Sequence, residues 1–514
     1  MVKKSSNLNQ LKIGVILSYA TTALNMLIGI VYTPVMIRIL GQSEYGLYTL
    51  VGSVVSYLSL FNLGFSGAYL RFYSRYACKN DEKGVAKLNG MFLTVFLTMG
   101  LIALICGMVL SCFTENVFGT KLTVAELEKA KILMRFLVVN IALTFPTSVM
   151  SSIINSQEQF LFQRIVTLVG VICNPFICLP LLLRGYGSVA VVAVTTFITF
   201  SKLLVDIWYC IKKLNVKFEF GGFEWSLLKE MSTFSFFIFL NMIIDQVNWS
   251  IDKFILGRVI GTSAVAVYGV GAQINSLYTG FSTSISSVFA PRINKIVAIN
   301  DGKTKERLTK LFIKVGRIQA LILLLIASGF VYFGKYFITD IYATKEYKNA
   351  YIVALLLILP VTIPLIQNLG LEIQRAVNKH RARSIIYFIM AILNALVSIP
   401  LAIKFGEVGS AWGTAASLLL ANGMIMNVYY HKAIGINIVS FWKNILLLLK
   451  GMIIPGVLGC YIMKTIIFKN AFEYLVWIFA YTCVYIISMW KFGMNTYERD
   501  LFKKPIQKIV IRKK

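Results

Sequence analysis

The sequence predicts an all-α integral membrane protein of about fourteen transmembrane helices, arranged as two six-helix lobes in a parallel pseudo-repeat plus two extra helices. Three observations predict it. Of the 514 residues, 57% are apolar and only 14% charged, with a mean hydropathy of +0.74, whereas a soluble chain carries roughly 25% charge. Apolar runs long enough to cross a ~30 Å hydrocarbon core recur from one end of the chain to the other. A polar pattern in the first loop between spans also returns at a constant offset, with Arg38 matched by Arg258.

Polar breaks bound apolar spans at 13–37, 46–69, 90–113, 132–153, 162–183 and 187–210. A second group lies at 231–256, 264–290, 311–334, 352–374, 385–403 and 408–430, and a last pair at 445–467 and 472–490. The first run follows Lys3 and Lys4 as a signal peptide would, but it is too long and lacks a small-residue cleavage pattern, so it reads as a mature helix. An even number of spans puts both termini on one side. Most of the 51 Lys and Arg fall in the loops and tails of that side, including Lys503, Lys504, Lys508, Arg512, Lys513 and Lys514, so the termini are expected in the cytoplasm. The domains that follow are 1–215, the N-terminal six-helix lobe; 216–440, the C-terminal six-helix lobe; and 441–514, two additional helices with a basic tail. The net charge of +29 therefore orients the chain and meets membrane lipids; no nucleic-acid partner is expected.

The same loops leave little room for chemistry. The longest are about 20 residues, against roughly 50 for the smallest usual domain. The two histidines, His380 and His431, sit beside basic residues in cytoplasmic loops, and the eight cysteines are scattered without a CxxC pair. There is no Walker A, HExxH or GxSxG pattern. The expectation is a protein without catalytic residues, metal or cofactor, and not an enzyme.

The repeat is the most informative feature. Arg38-Ile39-Leu40-Gly41-Gln42-Ser43 with Tyr48 returns as Arg258-Val259-Ile260-Gly261-Thr262-Ser263 with Tyr268. Asn25 aligns with Asp245 and Thr21 with Asn241, and Arg71 lies one residue from alignment with Arg292. Both copies join the first two spans of a six-span group, so the groups enter the membrane in the same sense. Duplicated helical halves suit transport by alternating access.

Span seven carries Asn241, Asp245, Asn248 and Asp252 at spacings of four, three and four, which places them on one helix face. A carboxylate at membrane depth costs about 2.5 kcal/mol or more on insertion scales, so it lines a cavity, pairs or is protonated. The equivalent face of span one is Thr21, Asn25, Ile28 and Tyr32. These polar faces mark the expected substrate path, with Asp245 and Asp252 able to couple transport to H⁺ or Na⁺. Cations suited to a phosphate-bearing substrate are Lys253, Arg38, Arg258, Arg71 and Arg292. Lys202 and Lys450 lie near span ends and read as snorkelling side chains. The hydroxyl-rich eighth span, Gln273 to Ser287, suits either sugar hydroxyls or close helix packing.

With these residues in view, the chain resembles the bacterial polysaccharide transporter family, the Wzx-type oligosaccharide flippases of the superfamily that includes the lipid II flippase MurJ and the MATE drug exporters. The resemblance rests on Thr33-Pro34, on Gly41-Gln42-Ser43-Glu44-Tyr45-Gly46-Leu47-Tyr48, on Leu63-Gly64 before Arg71, and on Asp252-Lys253-Phe254-Ile255-Leu256-Gly257 leading to Val265-Ala266-Val267-Tyr268. It implies a two-lobed bundle in the bacterial cytoplasmic membrane that moves undecaprenyl-diphosphate-linked oligosaccharide to the outer leaflet, working alongside a polysaccharide polymerase and glycosyltransferases. A lipid II flippase of the MurJ type and a cation-coupled MATE-like exporter are the alternatives; most MATE exporters have twelve spans, which disfavours the latter.

Overall fold

A computed structural model describes residues 2–503 apart from 222–224, 300, 378, 380 and 502, so His380 and the tail cations from Lys504 to Lys514 lie outside the described residues. The described elements are helices, as a membrane interior demands, because a helix satisfies its own backbone where no water can. In chain order they are α1 (Val2–Val55), α2 (Ser66–Ala77), α3 (Glu82–Cys112), α4 (Thr114–Phe118), α5 (Val124–Ser156), α6 (Phe160–Leu183), α7 (Gly187–Lys212), α8 (Trp225–Val259) and α9 (Thr262–Ser286). There follow α10 (Ala290–Ile299), α11 (Thr304–Tyr336), α12 (Lys348–Ile366), α13 (Leu369–Ala376), α14 (Arg381–Leu418), α15 (Met426–Tyr429), α16 (Ile438–Leu446), α17 (Leu449–Thr465) and α18 (Ala471–Ser488).

Among the described residues, nine helical stretches are long and apolar enough to cross a membrane, and a tenth arises if α16 and α17, bent by 40°, form one broken span. Two of these stretches are double. The first, Ala20–Asn62, turns at Gly41, and Arg381–Ile434 turns at Gly406. Both glycines have positive φ, which a side chain resists. Of the remaining spans expected, the seventh and eighth fall on α8 and α9, which at 35 and 25 residues are long enough to cross but are not among these nine stretches. The chain is a multi-span membrane protein.

Span two is not a continuous helix. After Val55 the backbone tightens into a 3₁₀ segment, Ser56–Asn62, that ends at Leu63 with φ +49. Ser53, Ser56 and Ser59 each donate a hydroxyl to the carbonyl three residues back, at 2.7 Å, supplying the local bonds a tightened turn needs.

The chain forms two compact units, Met1–Gly269 with Ala402–Glu407, and Val270–Leu401 with Val408–Lys514. The expected boundary near 215 falls inside the first unit. The reason is local packing: α8 lies against the end of α1 and its 3₁₀ extension, with Gly257 seated on Leu50 and Gln246 donating to Ser56. Within the second unit, the last two spans pack on α11 rather than standing apart. One face of α18 supplies Tyr474, Tyr481 and Tyr485, whose hydroxyls donate to the Phe333 carbonyl (3.3 Å), Ser328 Oγ (2.7 Å) and the Leu321 carbonyl (2.7 Å). Phe333, Ile462, Tyr474 and Tyr481 form a buried cluster there.

Candidate functional site

The first unit encloses a cavity of about 970 Å³ between α1, α5, α6 and α7. Asn25, Ile28 and Tyr32 of α1 line it, so three of the four residues on the predicted face of span one open onto a cavity. Thr21, the fourth, is buried and donates to the Leu17 carbonyl at 2.7 Å. The facing walls are rich in hydroxyls. Thr147 and Ser148 of α5 donate to the carbonyls of Leu143 and Thr144, both at 2.7 Å, and Thr199 of α7 donates to the Thr195 carbonyl at 3.0 Å. Their hydrogens are engaged by the helix, and Thr199 also accepts from Asn140 Nδ2 at 3.2 Å, so it is the Thr147 and Ser148 oxygens that remain as acceptors in the wall. Pro175 of α6 lacks an N–H, so the carbonyl of Val171, four residues earlier and also in the wall, loses its helical partner. Between the polar groups the lining is aliphatic and aromatic, with Ile165, Val169 and Phe197.

One cation reaches this cavity: Lys202 of α7 is among its lining residues. Sequence reasoning read Lys202 as a snorkelling residue at a span end; the structure instead turns it toward the cavity. One helical turn further along, Asp206 is fully buried, with 0% of its surface exposed. Ser151 of α5 donates to Asp206 Oδ2 at 3.3 Å and accepts from Gln163 Nε2 of α6 at 2.6 Å. Asp206 Oδ1 and Gln163 Oε1 are buried without a hydrogen-bond partner. Asp206 and Gln163 were missed by the sequence analysis. The available signal was Lys202 and Asp206 at i and i+4, a pairing on one helix face that is costly inside a span.

The stripe on span seven has a mixed fate. Asp245 is exposed, Asn241 and Asn248 are half-buried, and Asp252 is fully buried. Tyr268 of α9 donates to Asp252 Oδ2 at 2.7 Å. That carboxylate therefore serves as a tie between α8 and α9 instead of opening onto a cavity, because a buried charge is stable only with donors around it. Lys253 is half-buried beside it. Arg38, Arg71 and Arg258 of the first unit are exposed, as is Arg292 on α10 of the second, and Lys450 is exposed too.

The structure brings the two copies of the repeat together. Gly41 and Gly261 both take positive φ, +75 and +127, which explains a glycine at that place in each copy. Glu126 Oε1 accepts from Ser43 of the first copy at 2.6 Å and from Thr262 of the second at 2.8 Å. Its Oε2 accepts from the Thr123 backbone N–H at 2.9 Å, so the same carboxylate closes the capping box that begins α5. Next to it, Glu44 accepts from the Ser188 N–H at 2.6 Å and pairs with Lys129 at 3.0 Å. This clasp meets the start of α7, and Lys202 lies fourteen residues on, roughly 20 Å along the helix. The first unit thus has a carboxylate clasp toward one end of α7 and a cation in a mostly apolar cavity toward the other.

The model of the polysaccharide biosynthesis protein family matches residues 11–297, more than half of the chain. The chain belongs to that family. The matched stretch contains every residue of the cavity and of the clasp. A Shigella flexneri protein assigned as an O-antigen transporter is 22% identical over 313 residues, spanning 60% of this chain and 72% of that protein. Among solved structures, the lipid II flippase MurJ in an inward closed conformation shares the fold at a TM-score of 0.69 and 17% identity, covering 95% of this chain and 99% of its own. An inward-facing MATE-family multidrug transporter shares it at 0.60 and 14% identity, covering 83% and 94%.

Proposed function

We propose that this member of the polysaccharide biosynthesis family is a flippase that carries lipid-linked oligosaccharide, on an undecaprenyl-diphosphate anchor, across the bacterial cytoplasmic membrane by alternating exposure of the cavity in its first unit. It acts as a carrier and not as an enzyme, with both termini in the cytoplasm. The observation that supports this most is the cavity in the first unit: about 970 Å³, with a largely apolar wall interrupted by the hydroxyls of Thr147 and Ser148 and the amides of Asn25 and Asn174, and reached by Lys202. A sugar diphosphate cannot cross hydrocarbon unaided, since each polar group left without a partner costs several kcal/mol. Sugar hydroxyls can donate to the wall acceptors, and Lys202 can meet the diphosphate. Family membership and the likeness to an assigned O-antigen transporter support the same substrate class.

In this reading the exposed Arg38, Arg71, Arg258 and Arg292, with Lys253, attract the anionic head along its route, while the exposed Asp245 couples movement to H⁺ or Na⁺. Reconstitution tests it. Vesicles carrying the purified chain and an undecaprenyl-diphosphate oligosaccharide should expose inner-leaflet sugar to an impermeant glycosidase outside within minutes, whereas protein-free vesicles keep about half protected. Equal protection in both would refute the assignment, and equal rates for lipid II would move it to a lipid II flippase.

A further inference from the structure

We propose that the cavity of the first unit opens sideways into the bilayer along α6 and α7, so that a prenyl diphosphate crosses with its head inside at Lys202 and its chain outside in lipid. The choice of a prenyl diphosphate rests on the flippase reading; the sideways opening does not. Both helices carry an outward apolar stripe. On α6 it is Ile165, Val169, Ile172 and Phe176, at spacings of four, three and four, all exposed. On α7 it is Phe197, Phe200, Leu204 and Trp208, at three, four and four, again all exposed. Both helices are long and apolar enough to cross a membrane, so these stripes meet lipid. Ile165, Val169 and Phe197 belong to two surfaces at once: they stand in the stripes and they line the cavity, with Val169 51% and Phe197 61% exposed. The cavity wall therefore runs on into the lipid face. Two fastenings of α6 to α7 flank this stretch. Asn174 Nδ2 donates to Thr195 Oγ1 at 3.3 Å toward one end, and Phe162 stacks on Tyr209 at 3.6 Å toward the other. From Phe162 to Asn174 is roughly 18 Å of helix.

The charge at this opening specifies the occupant. Of the described lining residues Lys202 alone is charged. Asp206 lies within electrostatic reach one turn along α7, but it is fully buried and outside the lining, so the cavity presents an ammonium and calls for an anion. Depth says which anion. Lys202 sits about 4 Å along the axis from the middle of α7 (Gly187–Lys212), whereas the phosphates of a resident lipid stay at the edge of the ~30 Å hydrocarbon core. Only a lipid whose head leaves the interface reaches that depth, as a carried lipid does. Its chain stays out of water in the bilayer, while its head exchanges water for the Lys202 amine and the wall hydroxyls.

The test uses the purified full chain in nanodiscs of phosphatidylethanolamine and phosphatidylglycerol, with undecaprenyl diphosphate bearing a diazirine on the isoprene next to the diphosphate. After photolysis, label mapped by peptide mass spectrometry should concentrate on cavity-lining residues of α6 and α7, such as Val166 and Val205. Phosphatidylglycerol with a diazirine near its head group should label helix ends instead. Lys202→Met should lower the cavity label by about tenfold or more, the worth of one charge-assisted contact. Val169→Trp, at an exposed position, should obstruct the opening and lower it too, while Ile453→Trp, exposed on α17, leaves it unchanged. The Val169 variant carries the test if Lys202→Met fails to fold. Equal labelling of the cavity by phosphatidylglycerol would make it a site for an ordinary membrane phospholipid and overturn the proposal, as would prenyl label that avoids α6 and α7 or is unchanged in both variants. Cavity label without flipping in vesicles would sink the flippase reading alone, and flipping without cavity label would sink this opening alone.

Discussion

Tyr268 and Asp252 show how a single contact redefines a residue that looked functional in the sequence. Asp252 belongs to a helical stripe of four polar residues, yet it is closed off with the Tyr268 hydroxyl at 2.7 Å. Tyr268→Phe removes a charge-assisted hydrogen bond and is expected to destabilise the protein by about 1.5–3 kcal/mol. Asp252→Asn in the same background should restore part of that loss, because the amide carries no charge; a double-mutant cycle on thermal midpoints measures it. Additive effects of the two substitutions would contradict the tie. Gly46 offers a second residue-scale prediction. A Cβ there would collide with the Thr262 backbone carbonyl, so Gly46→Ala should cost about 1–3 kcal/mol, read as a lowered midpoint, while Gly52→Ala, which faces open space, should be neutral or stabilising.

At the scale of elements, the last spans are held by a buried ion pair. Arg317 of α11 is 3% exposed and Glu498 1%, with Nε to Oε1 at 2.5 Å and Nη2 to Oε2 at 2.9 Å. Arg317 also donates to the carbonyls of Asn444 and Gly493, fastening three segments at one point. Arg317→Ala strands the Glu498 charge and should cost about 3–5 kcal/mol, whereas Arg317→Met with Glu498→Leu should come close to wild type. Equal losses in the two would show that the pair itself, and not the stranded charge, sets the stability. Outside the membrane, α2 and α8 are joined by Arg75 and Glu230 at 2.7 Å, a pair that is exposed on both sides. The hydrogen bond from Arg75 holds the Glu230 carboxyl below its ordinary value. A carboxyl with a lowered folded-state pKa contributes above its unfolded pKa and loses that contribution as pH falls through the folded value. Amide exchange in α2 should therefore quicken on acidification of wild type but not of Glu230→Gln, where it is already fast at neutral pH.

For the whole molecule, composition alone fixed the class, since 57% apolar residues in repeated runs admit only a multi-span bundle. The repeat was legible because a turn with positive φ demands glycine, at Gly41 and again at Gly261. Asn25 and Tyr32 were legible as a polar line on one helix. Asp206 had Lys202 one turn before it as a signal, but its link to Gln163 was not legible, because the two lie on different spans and only tertiary contact through Ser151 joins them. Glu126 was readable as a capping box after Thr123, but nothing local announces that Ser43 and Thr262 converge on it. The central claim is that the cavity reached by Lys202 receives the anionic sugar head. The most direct measurement is the initial flipping rate of undecaprenyl-diphosphate oligosaccharide in vesicles matched for protein content. Lys202→Met should slow it by about tenfold or more, a loss of ~1.4 kcal/mol or greater, while Lys450→Met stays within about twofold of wild type. A Lys202→Met protein that flips at the wild-type rate would contradict the account.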